Sequence, residues 1–482
     1  MEDLVRTALA AAQGPGVLRA EVRVVSPDRF LQLAVRNGSA NALTDARTDA
    51  IGVRVRSEYA WGFATTSDLR PGPVREIARL AVRLARAAGR RARHPLRVTD
   101  EPSPDGGRYE THLAEDPFSM SLDPVLELLT AAEKRLHVAR SVKSGVATFS
   151  AWEENKWYGA SDGASYRSRI VHVGAGLQAT AVRGSNVQRR SYPASHGGDF
   201  SQAGFEFVEG LRLNDHAAEI GTEAAALLDA PVCPTGATTL VLGSEQLALQ
   251  VHESVGHAVE LDRIFGTEAA FAGTSWVAPD KVGTLRYGSD LMNVVADATE
   301  PGGLGTFGWD DEGVPAQRTP IIDRGVLVGT LSSRESAAEL GLPRSGGTAR
   351  ASGGDRAPLV RMTNVNLEAG DLSLDELLEG VSEGVFLNTN RSWSIDDRRL
   401  NFQFGTEFGR RIVRGELGEL VRNPIYSGMG PEFWASMDAV GNAGTRHLWG
   451  LPNCGKGQPG QVARVSHGAP VARFRRVAVR GG

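Results

Sequence analysis

Cysteine is nearly absent from this chain: 482 residues contain two, Cys233 and Cys454. A disulfide framework is excluded, and a reducing cytoplasm is the expected compartment. Long apolar runs are missing too, so no segment is expected to span a bilayer. The opening Met1-Glu2-Asp3-Leu4 is acidic, and no apolar stretch of the signal-peptide kind follows it. Charge of one sign is not in excess. A formal net charge of -4 argues against nucleic acid or an anionic membrane as the main partner. The one basic cluster, Gly89-Arg90-Arg91-Ala92-Arg93-His94, reads as the solvated end of a helix running into a loop. No heptad array or repeat of solenoid length is visible. What remains, 41% apolar and 23% charged, is the composition of a globular protein long enough for two or three domains.

The first hundred residues read as a small α/β unit. A helix over Leu4 to Ala12 precedes the alternating run Ala20 to Val25. Leu31 to Arg36 then enters Asn37-Gly38, a strong hairpin signal. Further strands are expected at Gly52 to Arg56 and Ala60 to Ala64. A helix begins near Pro73, with Ile77, Leu80, Leu84 and Ala88 at helical spacing. Residues 95–115 are rich in Pro, Gly and Asp and look like a linker. Beyond it come a helix from Pro124, strands near Lys156 to Gly159 and Ile170 to Val173, and a helix over Ala203 to Leu228. Cys233-Pro234-Thr235-Gly236 marks a boundary to a Gly- and β-rich segment. The expected class is α+β and multi-domain: an N-terminal α/β unit (1–100), a middle α+β segment (110–230) and a β-rich C-terminal domain (234–482).

The chemistry concentrates in His252-Glu253-Ser254-Val255-Gly256-His257. Two imidazoles and a carboxylate within six residues are the parts of a zinc-hydrolase site, the Glu being placed to take a proton from metal-bound water. The preceding Thr238 to Gly243 reads as a buried strand, with Ser244 as N-cap and Glu245 in the first turn of a helix. Leu247, Val251, Val255 and Ala258 form that helix's apolar side. Histidines four apart lie within roughly 40° of each other on a helix; five apart, they diverge by roughly 140°. A regular α-helix cannot present both to one ion. A π-bulge or a break is therefore expected between them, with Gly256 permitting either. Spacing alone leaves a metal site and a chance coincidence both open.

A third ligand is needed, and Cys454 is the candidate. It sits in Pro452-Asn453-Cys454-Gly455-Lys456-Gly457, read as a tight, bare loop in which Lys456 favours the thiolate. The alternative is a small buried hydrophobe, the reading given to Cys233. Two His and one Cys leave zinc's fourth position for water, with Glu253 as general base, which is amide hydrolysis.

The stretch from His252 to Asp262 resembles the signature helix of the TldD/PmbA family of metallopeptidases. So do Asp310-Asp311-Glu312-Gly313-Val314-Pro315, Arg361-Met362-Thr363-Asn364, Gly405-Thr406-Glu407-Phe408, Asn453-Cys454-Gly455-Lys456 and the N-terminal Gly52-Val53-Arg54-Val55. The likeness runs through nearly the whole chain in order. It implies zinc held by His252, His257 and Cys454 with Glu253 as base, and a catalytic rather than a degenerate subunit. It also implies a dimer, with a degenerate paralogue or a second copy, that cleaves flexible or unfolded peptides, including precursors of modified peptides. Glu260 and Asp262 match the motif. Support for the His ligands, hydrogen bonds at the helix end, and a solvated helix terminus all remain open for them. Asp310 to Gly313 is read as a β-turn rather than a second metal site. His467, where a more Gly-rich stretch is expected, is read as a surface imidazole, with oxyanion stabilisation as the alternative. The rival functions are a non-catalytic, peptide-binding subunit and a hydrolase of non-peptide amides.

Overall fold

The computed structural model describes residues 1–102, 104–271 and 273–482, so Ser103 of the expected linker lies outside the described residues. The protein is a mixed α+β, multi-domain chain. An eight-stranded sheet dominates its first half, built on the long antiparallel strands Arg19–Arg36, Ser39–Arg56, Val142–Ala160 and Ser165–Arg183. The N-terminal and middle segments share this sheet, because Arg19–Arg36 pairs on one edge with Ser39–Arg56 and on the other with Val142–Ala160. The Asn37-Gly38 turn forms the expected hairpin, with positive φ at both residues (48° and 78°).

The two runs read as separate strands, Ala20 to Val25 and Leu31 to Arg36, are one strand with a bulge between Val25 and Asp28. The bulge has a packing reason. The residues packed into the helix-covered core are Ala20, Val22 and Val24 before it and Leu31, Leu33 and Val35 after it. One extra residue changes the parity and keeps both sets on the same face. Helices Glu2–Ala11 and Pro71–Gly89 cover one half of that face, and Asp123–Leu136 with Leu213–Ala226 cover the other. Each fully buried Val, Leu or Ile there contributes about 1.5–3 kcal/mol. The helix expected over Ala203 to Leu228 is two helices, Phe205–Gly210 and Leu213–Ala226. They are separated where Arg212 turns left-handed (φ 50°), a state that a regular helix excludes.

The sheet's other face carries charge and meets the C-terminal half. Arg54 contacts Glu312 at 2.6 Å and Lys156 contacts Asp311 at 2.8 Å. Residues 310–313 do form a turn: Asp310 Oδ1 accepts from the Glu312 and Val314 N–H groups at 2.9 Å, and Gly313 has φ 81°. The Asp311 and Glu312 carboxylates are buried ion-pair partners, while Asp310 is held by backbone N–H groups.

In the C-terminal half, five strands pair into a closed ring: Glu383–Ile395, Gly236–Leu242, Ala472–Gly481, Pro424–Met429 and Asn401–Val413, which pairs back with the first. The helix Ser244–Val251 leaves the end of the second of these. Its N-cap is Gly243; Ser244 is already helical and donates to the Ala469 carbonyl instead. Every residue from Glu245 to Val251 is buried, and Tyr426 of the ring fastens Gln246 and Gln250 at 2.9 Å each. This is a central helix, enclosed on all sides. No helix among the described residues is long and apolar enough to cross a membrane.

Candidate metal centre

The central helix changes pitch where its histidines require it. After Ser244–Val251, residues His252–Gly256 form a π turn, closed by the His257 N–H on the His252 carbonyl. A 3-10 turn, His257–Val259, follows. The i, i+5 repeat of the π turn brings His252 and His257 onto one side, as their spacing demands. Side chains complete the hydrogen bonding of the distorted turn. Ser254 Oγ donates to the Gln250 carbonyl at 2.7 Å, and Tyr287 donates to the Ser254 carbonyl at 2.5 Å. Gly256 has ordinary helical angles (φ -50°, ψ -58°). It is needed for space: a Cβ there would lie 2.1 Å from Met362 Sδ.

Cys454 arrives on the strand His447–Lys456, paired with Gln461–Ala469. It is therefore in a hairpin rather than a bare loop, and it is buried in the main core. Ligand atoms of His252, His257 and Cys454 all lie within 4.8 Å of one another, and His257 Nε2 is 3.6 Å from Cys454 Sγ. Tetrahedral zinc with two nitrogen ligands and one sulfur sets such atoms roughly 3.3–3.6 Å apart, so the donor set fits with little movement.

Hydrogen bonds behind the imidazoles fix which nitrogen is free. The Val365 carbonyl can only accept, and His467 Nδ1 stands 2.8 Å from it. His467 Nδ1 therefore carries the proton and its Nε2 accepts from His252 Nδ1, also at 2.8 Å. The His252 Nε2 lone pair is left for a metal. On the other ring, Glu260 Oε2 accepts from His257 Nδ1 at 2.9 Å, which frees His257 Nε2 facing Cys454. Burial lowers the pKa of both rings, His257 well below its ordinary value, so both are the neutral form a metal requires. Burial alone would push the Cys454 thiol up. His257 and Arg361 outweigh it and hold the thiol below its ordinary value. The Arg361 guanidinium sits on the Cys454 carbonyl.

Of the residues around these donors, Glu260 is fully buried on His257, and Asp262 accepts from Lys456 Nζ at 2.7 Å. Neither belongs to a solvated terminus. Lys456 is buried against Asp262, with Glu260 at 3.3 Å, so its ammonium balances these carboxylates rather than the thiol. His467 is buried, not at the surface, and both its nitrogens are engaged away from the cavity. Cys233 is buried, which raises its thiol to about 11.

A cavity of about 420 Å³ opens over the three donors. Glu253 lines it and accepts from Arg399 Nη1 at 2.6 Å. Trp393 and Trp449 form apolar walls, and Ser195 and His196 reach in from the first sheet's side of the molecule. Glu245 lies on the same cavity, accepting from Ser195 Oγ at 2.8 Å and the Asn390 N–H at 3.0 Å. Burial raises its carboxyl to about 7. Sequence reasoning missed Arg399, because Asp396-Asp397-Arg398-Arg399 looks like any solvated hairpin tip.

Family models match in three consecutive parts: the PmbA/TldA metallopeptidase domain 1 over residues 20–88, the central domain over 115–229 and the C-terminal domain over 235–481. A metalloprotease of Methanothermobacter thermautotrophicus is 30% identical over 457 residues, covering 94% of this chain and 93% of its own. This chain belongs to the PmbA/TldD metallopeptidase family. A Saccharolobus solfataricus protein named a zinc metalloprotease TldD homolog is 28% identical over 247 residues, 51% of this chain and 52% of its own. TldE from Thermococcus kodakarensis shares the fold, with a TM-score of 0.72 at 17% identity over 100% of both chains. In this PmbA/TldD chain the donors converge through one π turn and one hairpin, elements about two hundred residues apart in sequence.

Proposed function

We propose that the protein is a zinc peptidase that hydrolyses amide bonds of flexible or unfolded peptides. One observation carries the reading: the π turn His252–Gly256 aims two neutral imidazoles at Cys454 and sets Glu253 beside them on an enterable cavity. Zinc held by His252, His257 and Cys454 would supply Lewis-acid polarisation of a carbonyl and acidification of water. A relative named as a zinc metalloprotease supports the choice of metal. The remaining steps belong to the chain. Glu253 takes the proton of the attacking water and returns it to the leaving amine. Glu260 and His467 hold the two imidazoles in the required tautomers, and Lys456 with Asp262 steadies Glu260.

The cavity lies along Trp449 to Gly455 of the strand His447–Lys456. An extended peptide adds beside this strand through main-chain hydrogen bonds, which accounts for weak side-chain preference. The likeness to TldE supports a dimer in which this chain pairs with a degenerate paralogue or a second copy. Two buried free cysteines accord with a cytoplasmic location.

The test is metal analysis and cleavage of an unfolded-peptide panel by the purified chain, alone and with a paralogue, alongside Glu253→Ala. Stoichiometric zinc is expected, with a loss of roughly 10²–10⁴-fold in kcat for Glu253→Ala. Absence of zinc, or undiminished cleavage by the variant, refutes the reading.

A further inference from the structure

Arg399 sets its Nη1 2.6 Å from Glu253 on the wall of the cavity over the three donors, so a substrate entering there meets both side chains. Among the residues lining the cavity, Arg399 supplies the only Arg or Lys side chain. Its Nε is buried without a hydrogen-bond partner.

The turn that presents Arg399 is hydrogen-bonded from within and from outside. Asp396 accepts from the N–H groups of Leu400 (2.8 Å) and Asn401 (3.2 Å), and the Arg399 N–H closes on the Asp396 carbonyl at 2.9 Å. From outside, Thr274 and Trp276 donate to the Asp397 and Arg398 carbonyls, each at 2.9 Å. Arg399 itself is left-handed (φ 62°), a conformation in which a residue with a side chain carries a strain of about 1–3 kcal/mol. From this turn the side chain reaches the cavity wall.

We propose that Arg399 is a catalytic residue, the donor that receives the carbonyl oxygen as it becomes negative. The inference rests on the peptidase reading above. Water oxygen bonds to the carbonyl carbon, the C=O π pair moves to the oxygen facing Arg399, and the water proton goes to Glu253. When the C–N bond breaks, that proton passes to the amine; the products are a carboxylic acid and an amine, with no other reactant. Losing Glu253 as partner and gaining the oxyanion keeps the guanidinium satisfied at each stage.

The experiment compares zinc-loaded native protein with Arg399→Gln and Arg399→Lys. One unfolded peptide is supplied as free acid and as C-terminal amide, and a phosphinic peptide serves as tetrahedral mimic. For Arg399→Gln, kcat should fall roughly 10²–10³-fold for both peptides, with KM changed by less than about threefold. Zinc content should be unchanged, and binding of the phosphinic peptide, read by calorimetry, should weaken by a similar factor. Arg399→Lys should recover about tenfold or more, because it restores the charge with a single donor. A KM rise confined to the free acid would make Arg399 a reader of substrate carboxylate and overturn the proposal. So would unchanged kcat in an active background, or zinc loss in both variants. A native protein that neither cleaves peptides nor binds the mimic would instead remove the peptidase reading beneath it.

Discussion

The imidazole of His467 makes two hydrogen bonds, one to a carbonyl that cannot donate and one to His252, a candidate metal ligand. That order of partners forces the His252 tautomer. His467→Phe would leave a buried His252 N–H with no acceptor and free the ring to turn. Zinc affinity is expected to fall about 10–100-fold, measured by chelator competition, with His467→Gln recovering most of it through its amide oxygen. Equal affinity in the Phe variant would show that packing alone holds the ring. The legibility of single residues follows their chemistry. His252, His257, Cys454 and Glu253 stand out as candidates in sequence because few side chains bind metals or move protons. His467 and Arg399 do not, since the contacts that single them out span 215 and 146 residues of sequence.

At the scale of the element, the i, i+5 histidine spacing rules out a straight α-helix only if both rings serve one ion, and it then leaves the choice between bulge and break open. Packing made that choice. The central helix is enclosed over its whole length, so a break would leave orphaned backbone groups in the core, whereas a π turn keeps them bonded. Gly256→Ala tests the tightness of this arrangement, since the new methyl would meet Met362, itself fully buried. Destabilisation of about 1–3 kcal/mol is expected by denaturant titration of the metal-free protein. Adding Met362→Ala should cost less than the sum of the two single changes, because the methyl then occupies released volume. Strict additivity would mean that the glycine is needed for another reason. The Cys454 hairpin escaped sequence reading for a different cause: Gly, Pro and Asn are loop signals, and its pairing with Gln461–Ala469 compensates for them only in the folded state.

Across the whole molecule, the cavity is a joint product of both halves, with Glu245 at the seam. Its carboxylate takes the Ser195 hydroxyl from one half and the Asn390 N–H from the other. Nothing local in sequence marks such a seam, just as nothing local marks the pairing of Arg19–Arg36 with Val142–Ala160. The physical signature is a carboxyl raised to about 7, with burial the largest cause and hydrogen bonds from Ser195 and Asn390 opposing it. A carboxyl whose folded pKa lies above its unfolded value of about 4.3 holds its proton more tightly when folded. The stability it contributes is thus fully present below about pH 4.3 and is lost as pH rises through about 7. A shift of this size corresponds to at most about 3–4 kcal/mol in all, of which about 2.5 kcal/mol is lost between pH 5 and pH 8. Thermal unfolding of the native protein and Glu245→Gln across that range isolates the effect, since the amide cannot ionise. The native midpoint should decline relative to the variant as pH rises, most steeply between about pH 5 and 6.5 and levelling off above about 7. Parallel curves would mean that Glu245 stays ionised throughout, and that the Ser195 and Asn390 donors offset its burial in full.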